Sequence, residues 1–283
     1  MISFKQFLKE GDLPHNVQKA WSTKAATEEQ AVAWLIANNQ EALASGKLIY
    51  RGFQDPPQED MLFIDSSNSR RTSRDSSGMY QAMMDNSDAF KNVPSRSNSF
   101  ICTTTESQTR RYGVSFVMFP KKGTPLAVSE VDDFFNSSIS GEAMQCYGMG
   151  SIESMNLSIG RHLRDGFNIK PNRGMTATEI DDVLNNVKVE EFMKEMGLDK
   201  SKAAPAILAQ IEKQGGKDYF TALANVIATP NNFGVEVVTY GTAKLDTNTE
   251  LWFSGNALVV DSKHLSTLLQ KLPPEIKVAP SIN

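Results

Sequence analysis

Strand-forming segments lie at both ends of this chain, on either side of a long helical stretch, and that order constrains the fold more than any other feature. Lys47 to Phe53, Ser99 to Thr104 and Val114 to Phe119 carry the β-branched and aromatic residues of strands. Strands return at Val235 to Tyr240, Glu250 to Phe253 and Leu258 to Val260. Between the two groups, residues 142 to about 228 change character. Thr176-Ala177-Thr178-Glu179 is a capping box ahead of Ile180, Val183, Leu184 and Val187. Pro205 suits a first helical turn, with Ile207, Leu208 and Ile211 at helical spacing behind it. Tyr219, Phe220, Leu223 and Val226 form another such face. Helix, strands, helical block, strands is the order of an α+β fold rather than of an alternating βαβ chain.

The remaining segments fit that frame. Thr27-Glu28-Glu29-Gln30 is a first capping box, with Val32, Leu35, Ile36 and Leu43 as the apolar face and Ser45-Gly46 as the stop. Residues 65 to 78 read as a polar loop leading into a helix from Ser77 to about Asn86. Lys121-Lys122-Gly123 reads as a turn, and Ser262 to Leu272 as a last helix. The composition removes several function classes. A formal charge of −4 over 283 residues argues against nucleic-acid binding by bulk charge. Two cysteines, Cys102 and Cys146, exclude a disulfide-dense scaffold or a Cys-rich zinc module. Three histidines without a His-x-x-x-His pair argue against a His-based metal site, and no apolar run is long enough to span a membrane.

Three short motifs carry polar residues inside strand-like surroundings. Tyr50-Arg51-Gly52 sets an arginine in an otherwise apolar strand. It reads either as an edge-strand arginine facing water or as a guanidinium aimed at phosphate, which it can hold bidentately. Ser99-Phe100-Ile101-Cys102-Thr103-Thr104-Thr105 reads as a plain strand of high β propensity, or as one whose terminal hydroxyls position another polar group. Thr249-Glu250-Leu251-Trp252-Phe253 reads as a strand opened by a surface glutamate, or by a carboxylate that stabilises developing positive charge. Trp252 reads as core, and His162 and His264 as structural or exposed residues of helices.

In this order the three motifs resemble the Arg, Ser-Thr-Ser, Glu signature of the cholera-toxin-like ADP-ribosyltransferases. Tyr50-Arg51-Gly52 matches the opening strand. Thr103-Thr104-Thr105 matches the Ser-Thr-Ser strand, with Cys102-Thr103-Thr104 as an alternative register. Val114 to Phe119 followed by Pro120-Lys121-Lys122-Gly123 resembles the family's next strand and turn, and Asn248-Thr249-Glu250 occupies its Glu/Gln-x-Glu motif. The resemblance spans roughly residues 47–135 and 233–260. It implies a split β-sheet fold with a helical insertion before the last strands. It also implies NAD as substrate without a metal, cleaved at the nicotinamide–ribose bond.

The resemblance implies these residue roles. Glu250 binds the ribose and stabilises the cation, Thr103 orients Glu250, and Asn248 stands where relatives orient the acceptor. Arg51 holds a phosphate or ribose of NAD, Gly52 offers backbone groups to the nicotinamide amide, and Thr104 and Thr105 shape the cofactor side. Arg71, with Arg70, Arg74 and Arg96, either contacts NAD phosphates or belongs to a solvated Ser-rich loop. Two departures stand out: the second motif is all threonine, and Asn248 is shorter than Glu or Gln. The acceptor is therefore open between a host protein and a nucleic acid, with no membrane partner. The helical block either recognises that acceptor or only covers the sheet.

Residues 1–10 read as a short amphipathic helix, or resemble the capsid-targeting peptides of tailed phages, which are cut after a Leu/Ile-x-Glu triplet. Leu8-Lys9-Glu10 before Gly11 fits that cut, leaving 11–283 as a single domain. Ser69-Arg70-Arg71 to Tyr80 and Pro94-Ser95-Arg96-Ser97 are similar to phage-encoded members of the family. Together they imply a virion-packaged protein released into the host cytoplasm.

Overall fold

The computed structural model describes residues 22–67, 78–148, 150–171, 175–242, 244–246 and 248–282. The expectations for residues 1–10 and for Arg70, Arg71 and Arg74 lie outside these. The chain divides into two compact units. One holds the described residues of 1–71, 98–132 and 237–283, and the other those of 72–97 and 133–236.

The architecture is α+β, as the element order predicts, and its sheet has nine strands. In chain order these are β1 Ser22–Ala25, β2 Ile49–Phe53, β3 Met61–Asp65, β4 Phe100–Thr103, β5 Val114–Pro120, β6 Pro125–Ser129, β7 Val235–Thr239, β8 Glu250–Phe253 and β9 Asn256–Asp261. They are ordered β1-β3-β9-β5-β2-β4-β8-β6-β7 and pair antiparallel. The β2–β5, β3–β9 and β5–β9 ladders each run through five register pairs. Between β2 and β4 the ladder shrinks to one pair, Tyr50 with Thr103. The sheet is thus nearly divided there, five strands on the β2 side and four on the β4 side.

Apolar side chains pack on both faces of this sheet. Phe53, Phe100, Phe116, Met118, Leu251 and Phe253 belong to one core, and Val117, Phe119, Leu258 and Val260 to the other. Leu35 and Leu268, from the helices Glu28–Asn38 and Leu265–Leu269, join the second core. A strand buried on both faces loses the polar–apolar alternation of a one-sided sheet, which is why β5 and β8 read as continuous apolar runs. Trp252 is fully buried inside β8, as its strand setting predicts.

Five elements differ from the sequence reading. β1, β3 and β6 were not marked as strands, and β1 has all four residues exposed, so it pairs with β3 without any apolar signal. The helix starting at Thr27, whose capping box forms, breaks at Asn39 rather than running to Ser45. Asn39 is buried and turns its side-chain amide to the Pro120 carbonyl and the Tyr240 hydroxyl, at 2.9 and 3.0 Å. A second short helix, Gln40–Ser45, then ends on Gly46 in the left-handed conformation (φ +72°), which suits glycine. The last helix is shorter than read, Leu265–Leu269.

The second unit contains the expected helical block and adds the helix Met79–Asn86. The Thr176–Glu179 capping box is formed at Ala177–Leu184, and Pro205 lies in the first turn of Ala204–Lys213. Buried Asp181 caps the neighbouring helix Tyr219–Ile227, accepting from the Phe220 and Thr221 amides at 2.6 and 3.1 Å and from the Thr221 hydroxyl. Burial nevertheless pushes its pKa above the usual carboxylate value, outweighing those three hydrogen bonds.

Candidate active site

The three motif strands are consecutive neighbours in the sheet: β2 beside β4, β4 beside β8. Thr103 is the register partner of Tyr50 on one side and of Glu250 on the other. Directly opposed residues of an antiparallel pair project from the same face, so Tyr50, Thr103 and Glu250 form a row across three strands. Glu250 opens β8 with no exposed surface, and its amide donates to the Val131 carbonyl at 2.9 Å. Tyr50 is half-buried, and burial, with the Glu106 charge nearby, raises its pKa and keeps the phenol neutral.

Arg51, one residue along β2, projects from the opposite face by strand alternation. It is 2% exposed, and its guanidinium lies 5.4 Å from the Phe53 ring centroid and 5.9 Å from that of Phe100. The Nη1 donates to the Ile101 carbonyl of β4 at 2.7 Å. The arginine thereby bridges β2 and β4 where their backbone ladder has lapsed. Neither a water-facing arginine nor one on the Glu250 face describes this position.

Gly52 serves a close approach between backbones. A Cβ there would run into the Thr109 carbonyl and stand 2.9 Å from Tyr112 Cβ. Gly113 makes a matching contact, with φ +124° and its missing Cβ directed at the Phe53 carbonyl. The segment 106–113 is thus clamped onto β2, on the side from which a ligand was expected to reach Gly52.

The threonines hold the start of β8 by reciprocal hydrogen bonds. Thr104 donates its amide to the Thr249 carbonyl and accepts the Thr249 amide on its hydroxyl, both at 3.1 Å. The Thr105 hydroxyl donates to Asn248 Oδ1 at 2.7 Å and accepts the Asn248 amide at 3.1 Å. Asn248 has φ +58°, a left-handed conformation in which asparagine is enriched among non-glycine residues. This gives the departure from Glu/Gln a backbone reason: the turn into β8 suits asparagine. Thr103 is the residue opposite Glu250, and the two threonines after it hold the turn that leads into β8.

The Thr103 hydroxyl gives its proton to Gln108 Oε1 at 2.9 Å, and Gln108 Nε2 donates on to Asp132 at 2.9 Å. Thr103 was expected to orient Glu250 directly; here its donated bond goes to Gln108 and it meets Glu250 as strand partner. Gln108 and Asp132 were missed in the sequence. Gly113, also missed, had one signal: a glycine immediately before an apolar strand.

Arg96 lies in the second unit, without exposed surface, its guanidinium 4.8 Å from the Phe134 ring centroid. It is no part of a solvated loop. His162 sits in the helix Ile152–Phe167 against the Glu195 carbonyl at 2.8 Å. His264 is half exposed, 3.2 Å from Asp60. With Asp261 these two bring one ligand atom each to within 4.8 Å of one another, a group that could hold a cation, though a surface His–Asp pair accounts for it equally. Among the described residues no helix is long and apolar enough to cross a membrane. Compared with known proteins, the chain matches no family model, no curated protein and no solved structure.

Proposed function

We propose that this chain is a mono-ADP-ribosyltransferase that cleaves NAD and transfers ADP-ribose to a host macromolecule. The observation that supports this reading best is the adjacency of β2, β4 and β8, which brings motifs scattered over some two hundred positions to one nearly divided region of the sheet. A buried carboxylate, Glu250, stands there beside a hydroxyl, Thr103, and a neutral phenol, Tyr50. A fixed negative charge beside the ribose stabilises the positive charge that develops as nicotinamide departs, and it acts most strongly away from water. The Thr104–Thr249 and Thr105–Asn248 bonds hold the backbone that carries this carboxylate. Arg51 ties β4 to β2.

One observation favours a second reading, an NAD glycohydrolase. Asn248 is a neutral amide whose oxygen already accepts one bond from Thr105, so this side chain can hydrogen-bond an incoming acceptor but offers it no base. Incubation with labelled NAD and host extract separates the two. Transfer predicts label on a macromolecule in step with nicotinamide release; hydrolysis predicts nicotinamide without label; neither product would remove both readings. The same assay assigns the acceptor, a host protein in our reading and a nucleic acid otherwise. Packaging in a phage capsid, with release to the host cytoplasm, rests on residues 1–11 and on the likeness of residues 69–80 and 94–97 to phage-encoded members of the family. If Leu8-Lys9-Glu10 is a processing site, protein from virions begins at Gly11; an intact Met1 in particles would remove that site, and absence of the chain from particles would end the packaging reading.

A further inference from the structure

A cavity of about 340 Å3 opens in the sheet-bearing unit, within the size range of small-molecule sites. Its apolar wall is made by Ala42, Leu126, Tyr240 and Leu245, all buried members of one core. Leu126 is on β6, one residue before Ala127, whose register partner is Trp252. Alternation therefore puts Leu126 on the face opposite Trp252 and Glu250. In the sheet, β8 and β4 separate β6 from β2. The cavity is thus a different place from the row formed by Tyr50, Thr103 and Glu250.

Its polar lining carries an excess of positive charge. Lys47 and Lys244 line it, and among the described residues neither has a carboxylate within ion-pair distance. The acid in the lining, Glu41, is committed to Lys122 at 2.5 Å, which also holds its pKa below the usual value. The Tyr240 oxygen accepts from Asn39 Nδ2 at 3.0 Å, which leaves the phenol its own proton to donate. Burial keeps that phenol protonated well beyond neutral pH. Apolar wall, unpaired ammonium groups and a neutral donor match one ligand class.

We infer that this cavity binds a small organic monoanion, its apolar body against Ala42, Leu126, Leu245 and the Tyr240 ring and its carboxylate toward Lys47 and Lys244. Apolar area supplies most of the affinity and the lysines supply the choice of charge. This inference does not depend on the transferase reading, because it concerns the other face of the sheet.

Calorimetric titration of the full chain at pH 7 tests it, with octanoate as probe and octan-1-ol and inorganic phosphate as comparators. Octanoate should bind at least tenfold more tightly than octan-1-ol, and phosphate should give no measurable binding. Lys47→Met with Lys244→Met, changes at residues that are not part of the core, should bring octanoate down to the level of octan-1-ol. Leu245→Trp should fill the cavity and abolish binding of both; the lysine variant carries the test if that chain does not fold. Glu250→Gln should bind octanoate as the wild type does. Equal affinity for octanoate and octan-1-ol, binding of phosphate as tight as octanoate, or octanoate binding indifferent to the lysine changes would each overturn the inference. A loss of octanoate binding in Glu250→Gln would overturn its independence from the other face.

Discussion

The two flanks of the nearly divided sheet are built from different materials. On the β2 flank, Arg51 lies between two phenyl rings and a backbone carbonyl, and Gly52 and Gly113 let the segment 106–113 close on the strand. Packing fixes this flank, and packed interiors accommodate added or removed atoms poorly. On the β4–β8 flank, Thr104, Thr105 and Asn248, in partly or fully exposed positions, exchange hydrogen bonds with one another and with buried Thr249. Each such bond contributes about 1 kcal/mol net. The difference teaches that the first flank sets whether the sheet holds together, while the second sets where Glu250 stands at little cost in stability. Variants of the first should register in unfolding experiments, and variants of the second chiefly in chemistry.

The sharpest way to break that contrast is Gly113→Ala. A side chain at φ +124°, directed into the Phe53 carbonyl, should cost about 3–4 kcal/mol in urea unfolding. A loss below 1 kcal/mol would mean that this flank yields after all. Next is Arg51→Met, which keeps the apolar contacts and removes a charged hydrogen bond. It should cost about 2–3 kcal/mol in the same measurement. On the other flank, Thr105→Val removes the hydroxyl that makes both bonds to Asn248 and should cost about 1–2 kcal/mol. The smallest effect belongs to Asn248→Gly, which accepts φ +58° without strain and loses one side-chain bond, about 0.5–1 kcal/mol. Asn248→Ala should exceed it by about 1–2 kcal/mol, because alanine resists the left-handed backbone. Glycine and alanine behaving alike there would contradict the backbone explanation for asparagine.

Much of the fold is legible in the chain wherever burial leaves a pattern. Phe100 to Thr103, Val114 to Pro120 and Glu250 to Phe253 announce themselves as apolar runs, and both Thr capping boxes form where the sequence puts them. Ser22–Ala25 does not, because an exposed edge strand pairs by backbone alone. The break at Asn39 is invisible for a similar reason: its cause is a contact with Pro120 and Tyr240, far away in sequence. The site divides the same way. Spacing and residue type single out Arg51, Thr103 and Glu250 as unusual strand residues. They do not reveal that the Arg51 guanidinium meets a β4 carbonyl, or that the Thr103 proton goes to Gln108, since both follow from the path of the backbone. Asn248 looks like a weakened motif in the sequence and is explained by its φ in the structure.

The central claim is that Glu250 carries the chemistry while contributing little else that its amide analogue cannot replace. Transfer of label from NAD to host extract by wild type and by Glu250→Gln, at matched folded concentration, tests it most directly. The account predicts a fall of about 10²–10³-fold in transfer, the scale of one lost preorganised electrostatic group, with the urea midpoint nearly unchanged. Transfer by Glu250→Gln at the wild-type rate would contradict it.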